Sequence, residues 1–338
     1  MENKAVWLNN PGEDPVIDTA PFPEPGENQL LVKTKAVAVQ PGEWKLQAGI
    51  IPIPLKYPAI IGLSLSGVVV KVGPGVTRFQ PGDRIASNSA GVMFNDYRFG
   101  AYQKYSLVPQ KLTSKIGNTP FEDAAALSVA YGPISALFLH LGLERKLQTP
   151  KTAGDKVLVW GISSSFGALS AQIAKLAGYN VVGIAHGRHT ELARALGINS
   201  FIDRSSPSAV EEATALGPFH AVLAAADSAE DQVKIGAILS AQGGGSFLST
   251  MGVRPGVQLP EGVTGFFRQF IDDYLNPKNH EFTEWVWWNF LEHAFANNSL
   301  KSIPLEIQGG LSSVPEAWDL LRRGAVSGKR LIILPQLE

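Results

Sequence analysis

Two clusters of residues in this chain have the types and spacing of phosphate chemistry. Residues 156–167 read Lys-Val-Leu-Val-Trp-Gly-Ile-Ser-Ser-Ser-Phe-Gly, a short apolar strand running into a Gly/Ser turn and then a helix. Gly161 and Gly167 let the backbone turn tightly and approach an anion, and the first N–H groups of the helix, with its dipole, stabilise negative charge there. Ser163, Ser164 and Ser165 add hydroxyl donors, and Phe166 completes the turn. The pyrophosphate of a nucleotide suits such a turn; the same residues also make an ordinary loop and helix cap. The second cluster follows the next apolar run, as His186-Gly-Arg188-His189, with no acidic residue before Glu191. A carboxylate at that strand end accepts hydrogen bonds from a ribose 2′-hydroxyl and repels a 2′-phosphate, whereas Arg and His donate to phosphate. His186, Arg188 and His189 therefore favour NADP(H) over NAD(H). Arg204, closing Phe201-Ile-Asp-Arg204, is either a second contact on that phosphate or a solvated surface arginine.

These residues need a scaffold of alternating strands and helices. Leu169, Ile173 and Leu176 recur at helical spacing before Gly178, which supplies a left-handed stop. Further strands read at residues 180–185, 201–204, 219–227 and 245–251. Strand–helix alternation gives a parallel, doubly wound sheet that holds its ligand at the carboxyl edge, where Thr250, Met251 and Gly252 fall. The preceding residues 29–108 are different in kind, with short β-branched runs at 30–38, 65–72 and 79–85 broken by Pro and Gly. They predict an antiparallel, barrel-like domain. An apolar helix or helix pair over 122–142 joins the two. Strand-like 305–308, a helix over 313–323 and a closing strand at 330–334 then return to the barrel.

Composition narrows the function classes. The chain has 338 residues, and 29 Lys and Arg against 30 Asp and Glu leave a net charge of −1. Nucleic acid is not an expected partner, because phosphate-backbone binding needs concentrated cations. No apolar run has the length of a membrane span and the first residues lack a signal-peptide pattern, so the expected location is cytoplasmic. Cysteine is absent, which excludes disulfides, thiolate nucleophiles and Cys-ligated zinc. His186 and His189 lack a carboxylate partner in the sequence, and no metal site is expected.

The order barrel, nucleotide domain, barrel return, together with particular words, resembles the zinc-independent branch of the medium-chain dehydrogenase/reductase superfamily. Pro41-Gly-Glu-Trp-Lys45 is similar to the Pro-x-Asp-Trp-Lys segment of quinone oxidoreductases and enoyl reductases. Val76-Thr-Arg-Phe-Gln-Pro-Gly-Asp-Arg-Ile85, Gly100-Ala-Tyr-Gln-Lys-Tyr105 and Ser327-Gly-Lys329 match further family segments. The turn Trp160-Gly-Ile-Ser-Ser-Ser-Phe-Gly167 is similar to that of fungal zinc-binding-dehydrogenase-like members, close to trans-acting enoyl reductases of polyketide pathways. The resemblance implies a GroES-like β-barrel domain over 1–125, a Rossmann NADP-binding domain over 126–298 and a return to the GroES-like domain over 299–338. It implies hydride delivery from NADPH to an activated C=C bond of an enone or enoyl thioester. It also places Lys45 where it stabilises or protonates an enolate, the alternative being a surface lysine beside a core tryptophan. Tyr131 is either a proton donor or a pocket wall. Lys329 is carried over as a contact to the cofactor phosphate. The family's members are monomers or dimers joined edge to edge through the nucleotide-domain sheet, and the resemblance leaves either a monomer or such a homodimer as the assembly.

Three positions depart from the family pattern. Ser64 stands where Gly-x-Asp-x-x-Gly has its acid, Gly132 or Pro133 where many reductases carry Thr, and Ile162 where the turn usually has Gly. They motivate an alternative in which the scaffold catalyses cyclisation or isomerisation with NADP(H) retained structurally, and a second alternative of a non-catalytic binding protein. Residues 261–298 are rich in Phe, Tyr and Trp. They read either as the lining of an apolar, polyketide-like substrate pocket or as helical core.

Overall fold

A computed structural model describes residues 2–145, 155–198 and 200–337. It divides into two compact units, Met1–Val129 with Tyr274–Glu338, and Ala130–Asp273. The first unit carries β1 (Asn3–Trp7), β2 (Val16–Ala20), β3 (Gln29–Ala38), β4 (Ser64–Val72), β5 (Arg84–Asn88), β6 (Tyr105–Pro109) and β7 (Thr113–Lys115). The second carries β8 (Lys156–Trp160), β9 (Asn180–Ala185), β10 (Ser200–Asp203), β11 (Ala221–Ala224), β12 (Gly245–Ser249) and β13 (Val263–Phe266). The chain then adds β14 (Leu305–Gly309) and β15 (Arg330–Ile333) to the first unit.

In the first unit β1 and β2 form an antiparallel hairpin. The main sheet runs β14-β15-β3-β4-β5-β7 with β6 on β3, and all pairs except β14–β15 are antiparallel. Val32, Leu65, Ile85 and Ile333 alternate inward onto the core that Trp318 completes, as period-two burial requires. The expected strand at 79–85 begins later, at Arg84, because Pro81-Gly-Asp83 forms a turn: Gly82 has φ +95° and the Asp83 carboxylate accepts from Gln80 N–H at 3.1 Å. The apolar stretch 122–142 is not one helix. It passes through α (Phe121–Leu127), 3-10 (Ser128–Ala130), α (Tyr131–Ser135) and π (Ala136–His140) segments.

Residues 274–298, expected within the nucleotide domain, pack with the first unit instead. Phe282, Trp287, Phe290 and Phe295 are buried there, and the Tyr274 ring centroid lies 5.7 Å from that of Phe282 and 6.3 Å from that of Trp287. Ser114 donates its hydroxyl proton to the Trp287 carbonyl, and Arg78 forks onto Glu292 with two 2.8 Å bonds. These aromatics are core.

The second unit is a six-stranded parallel sheet ordered β10-β9-β8-β11-β12-β13. This is the doubly wound order, in which the first strand and the fourth flank a crevice at the carboxyl edge; here those strands are β8 and β11. Leu158, Trp160, Val182, Ile184, Ile202, Val222 and Phe247 fill its interior. The sixth strand, β13, has no counterpart in the sequence reading, since Val263-Thr-Gly-Phe266 is short and only Val263 in it is buried.

Candidate functional site

The turn after β8 is built by its glycines and one serine. Gly161 adopts φ +87°, and a Cβ there would lie 2.8 Å from Ala226 N; a Cβ on Gly167 would lie 2.3 Å from the Gly161 carbonyl oxygen. Both positions therefore exclude a side chain, which keeps the helix Ser165–Leu176 tight against the turn. Ser164 caps that helix: its Oγ accepts from Gly167 N–H at 3.0 Å and donates to the Gly161 carbonyl at 2.8 Å. Gly161 and Ile162 N–H bond to the Ile184 carbonyl at 2.7 and 3.2 Å, and Ser164 N–H to the Gly161 carbonyl at 3.0 Å. The donors left to face an anion are the N–H groups of Ser163, Ser165 and Phe166, as the first turn of a helix leaves them. Ser163, Ser164, Ser165 and Phe166 are half-buried. Thr250 and Met251 follow β12 at the same edge of the sheet; the Thr250 hydroxyl donates to the Ala225 carbonyl at 2.9 Å and Met251 N–H to Ser249 Oγ at 3.1 Å.

Beside the turn, β9 ends in a short 3-10 segment, Gly187–His189. Arg188 Nε donates to His189 Nε2 at 3.3 Å, and Arg188 N–H to His186 Nδ1 at 3.4 Å. Burial, then the charges of Arg188, His186 and Arg204, hold the His189 ring below the usual imidazole range. Arg188 thus bonds both histidines at the carboxyl end of β9, and Arg204 at the end of β10 adds its charge to theirs. Arg204 reaches Asp231 only at 3.4 Å, and it lines a cleft of about 430 Å³ with Ser205, Asp227, Ser228 and Lys234. Asp203 escapes the sequence argument because it arrives from the neighbouring strand: its Oδ1 accepts from Gly187 N–H at 2.9 Å. It is the parallel register, setting Asp203 beside Ala185, that brings it there.

The remaining expected residues are placed as follows. Lys45 closes the helix Pro41–Gln47 in the first unit, half-buried, with Nζ 5.7 Å from the Trp44 ring centroid. Tyr131 opens the helix Tyr131–Ser135 in the second unit and is half-buried. Lys329 pairs with Glu306 at the exposed surface of the first unit.

Each departure from the family pattern has its own packing partner. The Ser64 hydroxyl accepts from Gln40 Nε2 at 2.7 Å. The Ile162 side chain is buried, and a Cβ on Gly183 would touch it at 3.1 Å, so it points into the sheet and not into the turn. At Gly132 a Cβ would lie 2.9 Å from the Phe166 ring, which occupies that space and stacks obliquely on Phe270 with centroids 5.2 Å apart.

Comparison with known proteins agrees with this architecture. Residues 26–118 match the alcohol dehydrogenase GroES-like domain. The trans-enoyl reductase himH of Aspergillus japonicus is 30% identical over 310 residues, covering 90% of this chain and 89% of that protein. The trans-enoyl reductase ACTTS2 of Alternaria alternata is 28% identical over 358 residues, covering 98% of each. Among solved structures, an alcohol dehydrogenase superfamily protein from Novosphingobium aromaticivorans superposes with a TM-score of 0.80 at 23% identity, over 98% of this chain and 99% of that one. That likeness shows the fold.

Proposed function

The chain belongs to the medium-chain dehydrogenase/reductase superfamily, and from that premise we propose that it is an NADPH-dependent reductase of an activated C=C bond in an enone or enoyl thioester. The observation that carries the cofactor assignment is the cluster of His186, Arg188, His189 and Arg204 at the strand ends, beside a turn whose Gly161 and Gly167 leave no room for a side chain. Those residues fit a nucleotide with a 2′-phosphate. Ser163, Ser165 and Phe166 N–H groups would receive the pyrophosphate, and the arginines the 2′-phosphate. The bound cofactor supplies a hydride. The two trans-enoyl reductase relatives, covered over nearly their whole length, support an alkene as acceptor.

Adding hydride to the β-carbon builds negative charge on the substrate carbonyl oxygen, and a cation or donor held there lowers the barrier. In our reading Lys45 fills that role, its ammonium held near the Trp44 face. Tyr131 donates the proton or walls the pocket. The test is single-turnover oxidation of NADPH on a panel of enones and enoyl thioesters. Lys45→Ala should lower kcat by about a hundredfold while NADPH affinity stays near wild type. Equal turnover in the variant would remove Lys45 from the mechanism, and no NADPH oxidation by wild type across the panel would remove the reductase assignment.

A further inference from the structure

An acidic side chain stands inside the basic cluster. Asp203 Oδ1 accepts three hydrogen bonds, from Gly187 N–H at 2.9 Å, Ser205 N–H at 2.9 Å and the Ser205 hydroxyl at 2.6 Å. The fit to Gly187 is close: a Cβ on Gly187 would sit 2.3 Å from Asp203 Oδ2, so the carboxylate occupies the space that any other residue would fill. On the other side of the same turn Thr190 donates its hydroxyl proton to the Gly187 carbonyl at 2.6 Å, and His189 N–H bonds to the His186 carbonyl at 2.9 Å. The neighbouring Arg204 is anchored through its N–H to the Ala185 carbonyl at 2.9 Å. A carboxylate at a nucleotide's ribose end ordinarily selects against a 2′-phosphate. This one faces backbone and a serine.

We infer that Asp203 is a positioning residue for cofactor choice: its carboxylate clamps the Gly187 amide, fixes the 186–189 turn and thereby presents Arg188 and His189 to a 2′-phosphate. The inference rests on the NADPH reading above. Charge-assisted hydrogen bonds to a backbone N–H are among the stronger ones available for the purpose.

The experiment is calorimetric titration of the full chain with adenosine 2′,5′-bisphosphate and with 5′-ADP, repeated with NADPH and NADH, for wild type, Asp203→Ala and Asp203→Asn. Asp203→Ala should lose about tenfold of the preference for the 2′-phosphorylated ligand, with 5′-ADP affinity nearly unchanged and the unliganded protein still unfolding cooperatively. Asp203→Asn keeps an acceptor for Gly187 N–H and should restore most of the preference. Tighter binding of the bisphosphate by both variants would mean that the carboxylate acts by repulsion and would overturn the clamp. Weaker NADH binding by both would mean that it touches the ribose, which also overturns it. If wild type itself shows no preference, the NADPH reading fails; if wild type prefers the bisphosphate and Asp203→Ala does so equally, only the clamp fails.

Discussion

Glu43 offers a test of the first unit that needs no ligand. Its side chain is fully buried, yet it is a carboxyl group: Oε2 accepts from Gln40 N–H at 2.8 Å and from the Tyr102 hydroxyl at 2.5 Å, and Oε1 from Leu63 N–H at 3.2 Å. Burial pushes it up from an ordinary 4.5 to about 7, against those hydrogen bonds and the Arg330 charge. The folded state therefore holds the proton more tightly than the unfolded state. Stability from this group is fully present below pH 4.5 and is lost as pH rises towards 7. At about 1.4 kcal/mol per pH unit, the gap between 4.5 and about 7 is worth about 3 kcal/mol. Glu43→Gln removes the titration and leaves one of the backbone donors without its acceptor, a pH-independent loss of about 1–3 kcal/mol. The assay is urea unfolding of both proteins from about pH 5 to about pH 8. The depressed His189 acts in the opposite sense, since its charging penalises the fold below the ordinary imidazole range, but it is common to both proteins. The wild-type advantage over Glu43→Gln should thus shrink steadily with rising pH. An advantage that is flat or grows with pH would refute the reasoning.

Two further substitutions probe packing within each unit. Gly132→Thr drives a side chain into the Phe166 ring, where even a Cβ is only 2.9 Å away, and should cost about 1–3 kcal/mol; adding Phe166→Ala should recover at least about 1 kcal/mol of coupling in a double-mutant cycle followed by thermal unfolding. Glu292→Ala removes the acceptor of the Arg78 fork and of Lys115 N–H at 3.0 Å, and should cost about 2 kcal/mol. Because the Arg78 and Glu292 side chains are 34% and 23% exposed, about 0.5 M salt should screen part of that loss, while the part due to Lys115 N–H should persist in the same unfolding experiment.

Much of the nucleotide unit was legible because local chemistry and fold agree there. Asn180–Ala185 carries Val181, Val182 and Ile184 between Gly178 and His186, and it forms the strand over those same residues. The helix after the turn follows from the Leu169–Ile173–Leu176 spacing and the Ser164 cap. The family match and both domain types were likewise readable from motif words spread along the chain. What escaped depends on long-range placement. Nothing local distinguishes the aromatics at Phe266 and Phe270 from those at Phe282 and Trp287, yet the chain divides between Asp273 and Tyr274. Asp203 looks like a strand-end acid until the parallel register brings it to Gly187. Glu43 sits one residue from a tryptophan on a seven-residue helix, and only the approach of Leu63 and Tyr102 buries it. Ser135 and His140 both bond Asp273, from 138 and 133 positions away, a juxtaposition no spacing rule contains.

The central claim, a nucleotide site that selects the 2′-phosphate, is tested most directly by fluorescence titration with NADPH and with NADH, on wild type and on Arg188→Ala. The account predicts NADPH binding at least about tenfold tighter than NADH in wild type, with most of that difference gone in Arg188→Ala and NADH affinity unchanged. Equal affinities in wild type, or an unaltered preference in the variant, would contradict it.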